Sequence, residues 1–425
     1  MRLLSTPDPS VVPAVSPPWL TIVGIGEDGL AGLGDAAKAA IAKAEIVFGG
    51  ARHLELAAAA IIGESRAWLS PFERSVEAVL AARARPVVVL ASGDPFFYGV
   101  GVTLSRTIPR AEMTVFPAPS SFSLAASRMR WALQDATCVS LHGRPIDLIR
   151  PHLHSGSRIL ALTSDSDGPR ALSALLTQAG FGASALTVLE ALGGTRERVS
   201  THRADRFALD ETDMLNVCAV EVAAGAAARV LPFTSGLDDT LFEHDGQITK
   251  REVRALTLST LAPRHGELLW DIGAGSGSIG IEWMLADPSL RAVAIEAVPE
   301  RTARIRQNAA HFGVPGLAVV ESAAPGALVG LAVPDAIFIG GGGSEDGVFD
   351  AAIAALKPGG RLVANAVTIE MEAVLLAAHA RLGGSLIRID IARAGPIGQM
   401  TGWRPAMPVT QWSWRKPANE IEEQE

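Results

Sequence analysis

A cluster of glycines behind an apolar run is the most informative chemical feature of the sequence. The stretch LLWDIGAGSGSIGIE contains Asp271 followed by Gly273, Gly275 and Gly277. Glycines at this spacing allow positive φ angles and let the backbone approach a ligand closely. A helix predicted to begin near Ser278 would add free N–H groups at its N-terminus. The stretch therefore predicts a loop that holds a cofactor.

Two cofactors fit this loop. The spacing Gly275-x-Gly277-x-x-Gly280 is a dinucleotide-binding fingerprint, which would hold NAD in an oxidoreductase. Glu296 lies about 20 residues beyond the glycines, where an acid binds ribose hydroxyls in either NAD or S-adenosylmethionine. Asp271 favours S-adenosylmethionine, because its carboxylate would repel a pyrophosphate but suits the ammonium group of a methionine moiety. An NAD-dependent oxidoreductase is kept as the alternative interpretation.

The segments that follow the loop extend this interpretation. LAVVESAAP and VPDAIFIGGGG each contain a predicted strand, and LKPGGRLVANAVTIE is a turn into another. This succession, from about Gly236 to Trp414, resembles the class I S-adenosylmethionine-dependent methyltransferases. The resemblance implies a Rossmann-like domain with S-adenosyl-L-methionine as cofactor. It also implies an adenine site after the third strand, where Ser322 and Ala323 replace the acid that such enzymes often carry.

Groups suited to an anionic substrate flank the cofactor loop. Thr249-x-x-Glu252 is a capping box at the start of a predicted helix. Lys250, Arg251 and Arg254 around this cap are our candidates for substrate contacts. The residue pair Gly341 and Gly342 lies in the run IGGGG, whose backbone N–H groups could form an anion-binding nest. Close packing of this run against the cofactor is the alternative. No general acid or base can be assigned from the sequence, so the catalytic residues are left unknown.

The N-terminal half carries small residues at its predicted strand ends. VGIGEDG, ASGDPFFYGVG and PAPSSFSLAASRM each follow an apolar strand. His142, His152 and His154 have no Cys, Asp or Glu at ligand spacing, so no metal site is expected. The richness in glycine and other small residues instead predicts a flat ligand lying against the backbone.

Four motifs of this half occur in the order found in one family. SGDPFFYG, PAPSSFSLAASR, DATCVSLHGR and LEALGGTRERV, between about Trp19 and Ala228, closely resemble the tetrapyrrole (class III) methyltransferases. The resemblance implies a second S-adenosylmethionine pocket, bordered by or close to Gly24, Gly26, Gly93, Asp94, Pro95, Ser120, Thr163, Glu190 and Gly193. Arg128 and Arg144 are candidates for substrate carboxylates here.

The two resemblances together imply methylation in cobalamin biosynthesis. The N-terminal half is most like enzymes that methylate C5 of a precorrin. The C-terminal half is most like enzymes that methylate C15 and decarboxylate the C12 acetate. The implied partner is a tetrapyrrole of the precorrin-6B type, and we expect a homo-oligomer.

Strands that alternate with helices must position these loops. The alternation predicts an α/β protein with mostly parallel sheets, whose strand ends carry the chemistry. We expect N-terminal α/β domains of tetrapyrrole-methylase type followed by a Rossmann-like class I methyltransferase domain. The expected boundaries are a flexible tail over 1–18, the C5 region over 19–231, a linker over 232–243, the C15 domain over 244–415 and an acidic tail over 416–425.

Composition excludes several other classes of protein. The 425 residues carry a formal net charge of -8, which argues against a nucleic-acid binder. No apolar run reaches the roughly 18 residues of a membrane span. Cys138 and Cys218 lie in apolar strand-like contexts, so a disulfide framework is not expected. These features predict a cytoplasmic enzyme.

Overall fold

The computed structural model describes residues 18–418, which form two compact units. Unit 1 comprises residues 18–144 and 154–228, and unit 2 comprises residues 145–153 and 229–418. The expected tails at 1–18 and 416–425 lie almost entirely outside the described residues. Lys416, however, continues the fold of unit 2, because its Nζ donates to the carbonyls of Ile353, Ala354 and Leu356.

Unit 1 begins with a five-stranded parallel sheet in the order β3-β2-β4-β1-β5. Its strands are β1 (Leu20–Ile25), β2 (Ile46–Gly49), β3 (Glu64–Ala67), β4 (Val87–Ser92) and β5 (Met113–Phe116). Its helices are α1 (Asp35–Lys43), α2 (Ala51–Ala57), α3 (Glu73–Ala81) and α4 (Val100–Leu104). Leu20 and Ile22 belong to one apolar cluster, whereas Val23 and Ile25 belong to another. Both faces of the sheet are therefore covered, as parallel sheets require.

The second sheet of unit 1 is mixed, which corrects the expectation of mostly parallel sheets. Its order is β6-β7-β10-β8-β9, and only the β6–β7 pair is parallel. Its strands are β6 (Ala136–Ser140), β7 (Arg158–Leu162), β8 (Ala185–Glu190), β9 (Arg198–Arg203) and β10 (Asn216–Glu221), with helices α5 (Ser121–Met129) and α6 (Gly168–Gln178). The short connection between β8 and β9 explains their pairing, because a parallel crossover needs about a dozen residues or more.

Unit 2 is a doubly wound sheet in the order β13-β12-β11-β14-β15-β19-β16. Its strands are β11 (Leu268–Ile272), β12 (Arg291–Glu296), β13 (Ala318–Glu321), β14 (Ala336–Ile339), β15 (Arg361–Ala366), β16 (Ser385–Ile389) and β19 (Val409–Arg415). A separate hairpin joins β17 (Ala392–Ile397) to β18 (Met400–Pro405). The helices are α7 (Arg251–Leu261), α8 (Ser278–Ala286), α9 (Pro299–His311), α10 (Val348–Ala355) and α11 (Ile369–Leu382). The strand order reverses between β11 and β14, the position where open α/β sheets bind ligands.

Residues 232–243, expected to be a linker, are part of unit 2. Leu237 and Phe242 are buried in the same apolar cluster as Leu269 and Phe338 of the sheet. Because Pro, Gly and Asp are mixed into this stretch, its sequence does not indicate that two of its side chains belong to the apolar core of unit 2. No helix among residues 18–418 is long and apolar enough to cross a membrane.

Candidate functional site

A cavity of about 380 Å³ lies in unit 1 and is lined by loops of both its sheets. We call it the unit 1 cavity. Its volume is within the range of small-molecule sites. Five of the residues predicted for a cofactor pocket line it, namely Gly26, Gly93, Asp94, Ser120 and Thr163. The other four, Gly24, Pro95, Glu190 and Gly193, are not among its lining residues.

The backbone segments at Gly24 and Gly93 pack closely against each other beside this cavity. A Cβ at Gly24 would lie 1.8 Å from the Gly93 carbonyl oxygen, so only glycine fits there. Gly93 has a φ of +54°, and a Cβ on it would lie 2.8 Å from the Pro119 carbonyl oxygen. The next residue, Ser120, caps α5 by accepting a hydrogen bond from the Ser123 N–H at 3.1 Å. Gly24 therefore shapes the cavity without lining it.

Asn216 is a lining residue that the sequence analysis missed. It lies at the start of β10, and its side chain is hydrogen-bonded to the Thr163 hydroxyl. Its Nδ2 donates to the carbonyls of Asp165 at 2.9 Å and Asp213 at 2.8 Å. The residue thus holds two loops at one wall of the cavity. No local motif marks it, because its partners Thr163 and Asp165 are 53 and 51 residues away in sequence.

Glu190 supports the cavity rather than lining it. Its carboxylate accepts two hydrogen bonds from Arg198, at 2.7 and 2.8 Å, and another from the Asp213 N–H at 2.8 Å. Arg128, a candidate for substrate contact, forms a bidentate ion pair with Glu197 at 2.5 and 2.9 Å. Glu197 in turn accepts from the N–H of Gly193 at 2.7 Å. These groups stabilise the turn after β8, so Arg128 is already paired in this structure.

A polar wall of the unit 1 cavity is formed by Glu27, Arg52, His53 and Ser92, which the sequence analysis also missed. All four follow or end a strand of the parallel sheet, on β1, β2 and β4, so their convergence depends on strand order. Arg52 is ion-paired with Glu27 and donates to the Ser92 hydroxyl at 3.1 Å. His53 Nε2 lies 2.8 Å from that same hydroxyl oxygen. Burial, and secondarily the Arg52 charge, lowers the pKa of His53 to about 4, so its ring is neutral near pH 7.

In unit 2 the predicted glycine loop connects β11 to α8 at the point where the strand order reverses. Gly273, Gly275 and Gly277 have φ angles of +69°, +59° and +76°. A Cβ on Gly273 would lie 2.4 Å from the carbonyl oxygen of Gly341. A Cβ on Gly275 would lie 2.9 Å from the carbonyl oxygen of Gln247. The loop thus needs glycine both for its conformation and for the segments packed against it.

Asp271 does not face the loop surface, which corrects the role expected for it. Its side chain is 1 % exposed, and its Oδ2 accepts from the Gly280 N–H at 3.0 Å. Its Oδ1 has no hydrogen-bond partner among the described residues. Burial raises the pKa of this carboxyl group to about 7, the Gly280 hydrogen bond opposes this, and Glu296 adds repulsion. Asp271 therefore accepts a hydrogen bond from the first turn of α8, in the interior of unit 2.

Glu296 occupies the end of β12, beside the glycine loop. Its Oε2 accepts from the Gly275 N–H at 2.9 Å, and its Oε1 accepts from the Val298 N–H at 3.0 Å. The carboxylate is 6 % exposed and retains lone pairs beyond these two bonds. Ser322 and Ala323 follow β13 and are exposed. The neighbouring Glu321 accepts from the Thr302 hydroxyl at 2.5 Å.

The cations expected to bind substrate differ in their availability. Lys250 and Arg251 at the start of α7 are exposed, whereas Arg254 is fully buried. Arg254 Nε donates to Glu282 at 2.6 Å and its Nη1 donates to Asp239 at 3.0 Å. This burial corrects its assignment as a substrate contact, because its charge is already matched inside the unit.

The predicted capping box is also wrong. The residue at the cap of α7 is Lys250, and no side chain accepts a hydrogen bond from the first turn. The carbonyl of Thr249 instead accepts from Arg254. Arg254 thus anchors the residue before the helix cap, but it supplies no acceptor to the first N–H groups of α7.

The glycine run after β14 lies against the cofactor loop. Gly341 packs against Gly273 of that loop, so the two glycine segments are neighbours. Gly342 has a φ of +69° and open space around it, so its N–H group can still meet a ligand. Within residues 18–418 no group of three or more His, Cys, Asp or Glu side chains could hold a metal ion.

Comparisons with known proteins match one methyltransferase family model to each half of the chain. The family model described as tetrapyrrole (corrin/porphyrin) methylases matches residues 19–208, and the one described as precorrin methyltransferase domain matches residues 240–416. A precorrin-6Y C(5,15)-methyltransferase (decarboxylating) from a Sinorhizobium species is 72% identical over 404 residues, which are 95% of this chain and 98% of the relative.

Two further relatives correspond to part of the chain. A cobalt-precorrin-6B C(15)-methyltransferase (decarboxylating) from Salmonella typhimurium is 34% identical over 178 residues, which are 41% of this chain and 92% of the relative. The crystal structure of the C-terminal domain of precorrin-6Y C5,15-methyltransferase from Rhodobacter capsulatus is 49% identical, covers 44% of this chain and 100% of that one, and has a TM-score of 0.42. On the near full-length identity to the Sinorhizobium relative, the chain belongs to the precorrin-6Y C5,15-methyltransferase (decarboxylating) family.

Proposed function

We propose that this protein methylates a precorrin at C5 and C15 and decarboxylates its C12 acetate, in cobalamin biosynthesis, with S-adenosylmethionine as methyl donor. One observation carries the proposal: unit 1 has a glycine-lined cavity, unit 2 has a glycine loop where its strand order reverses, and the chain aligns over 95% of its length with a relative named for both methylations. We propose that each of these features serves one of the two methyl transfers.

The division of labour follows the units. Unit 1, which the tetrapyrrole methylase model matches, would act at C5. Unit 2, which the precorrin methyltransferase model matches, would act at C15 and C12. The Salmonella relative supports this division, because it is named for the C15 step and decarboxylation alone and aligns over 41% of the chain.

The residues present fit S-adenosylmethionine in both units. In unit 1 the cofactor would be held by five residues that line the cavity, namely Gly93, Asp94, Ser120, Thr163 and Asn216. Glycine is needed at position 93 because a side chain there would collide with the Pro119 backbone. Gly26 would border it, with Gly24, Pro95, Glu190 and Gly193 as supports. In unit 2, we propose Gly273, Gly275, Gly277 and Glu296 for the ribose and methionine parts, with the backbone at Ser322 and Ala323 beside the adenine. The bound cofactor supplies an activated methyl group.

The chain itself contributes position and charge. A methyl transfer is an in-line displacement, so the loops must align the donor with an electron-rich ring carbon and exclude water. In the decarboxylation, the conjugated ring takes up the electron pair of the broken carbon–carbon bond. Lys250, Arg251 and the N–H group of Gly342 would bind substrate carboxylates in unit 2, with Gly341 holding the nest in place. Arg144 is the remaining candidate in unit 1.

Calorimetric titration of the full chain with S-adenosylmethionine tests the cofactor assignment. We expect two binding sites per chain and no binding of NAD. Gly93→Ala should remove the unit 1 site and Gly275→Ala the unit 2 site, because each added Cβ meets a backbone carbonyl oxygen within 3 Å. Gly143→Ala is the matched control, since Gly143 also has a positive φ but nothing within 4 Å of its Cβ position. Binding of NAD, or a single site that neither variant removes, would contradict the assignment.

We also propose a homo-oligomer and a cytoplasmic location. The β17–β18 hairpin exposes Ile397, Met400 and Trp403 at 58%, 77% and 74%, an apolar surface suited to a second copy of the chain. Cys138 and Cys218 are unpaired, as is usual in a reducing compartment. Cell fractionation with an antibody against the chain would test the location.

A further inference from the structure

The C5 methylation proposed above leaves a proton to be removed. When a ring CH carbon takes a methyl group, a carbon–carbon bond forms and the sulfur–carbon bond breaks, with its electron pair staying on sulfur. The ring then carries an extra positive charge, which is neutralised when a proton leaves it. A group beside the methyl donor must accept that proton, and general bases commonly contribute about 10²–10⁴-fold in rate.

We propose that His53 accepts this proton through the hydroxyl group of Ser92. Ser92 is exposed, ends β4 and lines the same cavity as Gly93 and Asp94 of the proposed cofactor site. Its Oγ lies 2.8 Å from His53 Nε2, a distance at which the hydroxyl proton can pass to the ring as Oγ receives another.

The hydrogen bonds around His53 fix which nitrogen is basic. Arg52 Nη2 lies 2.7 Å from His53 Nε2, and a guanidinium group can only donate. Nε2 therefore carries the lone pair, which Arg52 and the Ser92 hydroxyl share, and Nδ1 carries the proton. Arg52 also donates to Glu27 and to the Ser92 oxygen, so it keeps partners when it releases Nε2 to the incoming proton. Nδ1 is buried and has no hydrogen-bond partner within the described part of the chain, so nothing competes to invert this tautomer.

The charges around this pair suit a transient acceptor. Glu27, Arg52 and Asp94 are the charged side chains that line the cavity, and besides His53 its lining includes the titratable His142 and Tyr98. Burial, and secondarily the Arg52 charge, lowers the pKa of His53, so it is unprotonated at neutral pH and returns its proton to solvent readily. A weak base is sufficient, since a ring CH beside a positive charge is strongly acidic.

The residues of the polar wall differ in role from Glu190 and Asn216, which hold the loops around the cavity. Glu190 and Asn216 are engaged by arginine or backbone groups that explain their burial. His53, by contrast, contributes a basic nitrogen to the cavity, and the partners of that nitrogen are the side chains of Arg52 and Ser92. Its placement beside an exposed hydroxyl at the end of β4 is explained by proton transfer.

The test uses the full chain, S-adenosylmethionine and the precorrin substrate, with the C5-deuterated precorrin as a second substrate. For His53→Gln and for Ser92→Ala we expect turnover at C5 to fall about 100-fold. Cofactor affinity should stay within about threefold of the wild type, and a primary deuterium isotope effect should appear that the wild type lacks. Added imidazole should restore part of the turnover of His53→Ala.

The matched control is His202→Gln, because His202 is a half-buried histidine of unit 1 bonded to a serine hydroxyl at 3.1 Å outside the cavity. It should retain wild-type turnover. Wild-type turnover in either His53→Gln or Ser92→Ala, or a loss without any isotope effect, would overturn the inference. If the wild-type chain itself transfers no methyl group to C5, the proposed function fails instead, so the two failures are distinguishable.

Discussion

Asp271 shows how one carboxyl group can be misjudged when its depth in the fold is unknown. Its position before the glycines predicts contact with the cofactor, yet its side chain lies under α8 with one oxygen unpaired. A group at the end of a buried strand can point to either face of the sheet. In this fold the N–H of Gly280 in α8 donates to one oxygen of the carboxyl group.

The raised pKa of Asp271 gives a prediction for stability against pH. Its pKa is about 7 in the folded chain and 3.8 in its unfolded reference, so the folded state binds more protons between these values. The contribution of Asp271 to stability is full below about pH 3.8 and is lost as pH rises through 7. Asp271→Asn should therefore unfold at a higher temperature than the wild type at pH 8. The difference is a few kcal/mol, since each unit of pKa shift corresponds to about 1.36 kcal/mol.

Thermal unfolding of both proteins at pH 5 and pH 8 checks this. At pH 5 the difference should be clearly smaller than at pH 8, because Asp271 is still protonated in the folded chain at pH 5 but is already ionised in the unfolded chain. An equal difference at both pH values would show that the carboxyl group of Asp271 does not titrate in this range.

At the scale of elements, the buried ion pair of Arg254 and Glu282 joins α7 to α8. Glu282 also accepts from the N–H groups of Gly236 at 2.6 Å and Leu237 at 3.0 Å, and Arg254 donates to the Leu237 carbonyl. One pair of side chains thus anchors the segment that precedes α7. That segment continues to Gln247, whose carbonyl oxygen lies over Gly275 of the cofactor loop.

Arg254→Met should lower the free energy of unfolding of the full chain by about 3–5 kcal/mol, because it leaves the Glu282 carboxylate buried without its cation. Urea denaturation measures this. Arg251→Ala, on the exposed side of the same helix, should change stability by no more than about 0.5 kcal/mol. Adding Glu282→Gln to Arg254→Met should recover part of the loss, since the amide oxygen still accepts from the backbone. A loss as small as that of Arg251→Ala would refute the anchoring role.

The sequence reveals the elements and loops of this protein better than the contacts between distant segments. The glycine loop is predictable because its glycines, the strand before it and the start of the helix after it all lie within 15 residues. The acid at Glu296 is predictable from spacing alone. Arg254 is not, because its burial depends on Glu282, which is 28 residues away. Arg52 and His53 are not, because they meet Ser92 only when β2 pairs with β4.

Strand direction is also hidden from a single sequence. Alternating strands and helices predict parallel sheets, and two of the three large sheets follow that rule wholly or mainly. The sheet from β6 to β10 does not, because its strand connections include one too short for a crossover. Apolar patterning alone does not report direction, since both kinds of pairing bury the same side chains.

At the scale of the whole molecule, the β17–β18 hairpin is where we expect copies of the chain to meet. Trp403→Glu should place a charge in that apolar contact and reduce the mass of the particle measured by light scattering. Val333→Glu is the control, since Val333 is 54% exposed in unit 2 but outside the hairpin. A wild-type chain that is already monomeric, or a Trp403→Glu variant of unchanged mass, would contradict the proposal.

Fusion of two methyltransferase units on one chain is the central feature of the molecule. We propose one cofactor site in each unit, built from that unit's own residues. A variant that damages one site should therefore leave the other chemistry in place.

Mass spectrometry of the product formed from the precorrin and S-adenosylmethionine tests this account most directly. We predict that the wild-type chain adds two methyl groups and removes one carbon dioxide. Gly93→Ala should yield a product lacking only the C5 methyl group, and Gly275→Ala one lacking the C15 methyl group. A wild-type product with a single methyl group and its C12 acetate intact would contradict the account, as would loss of both methylations in Gly93→Ala.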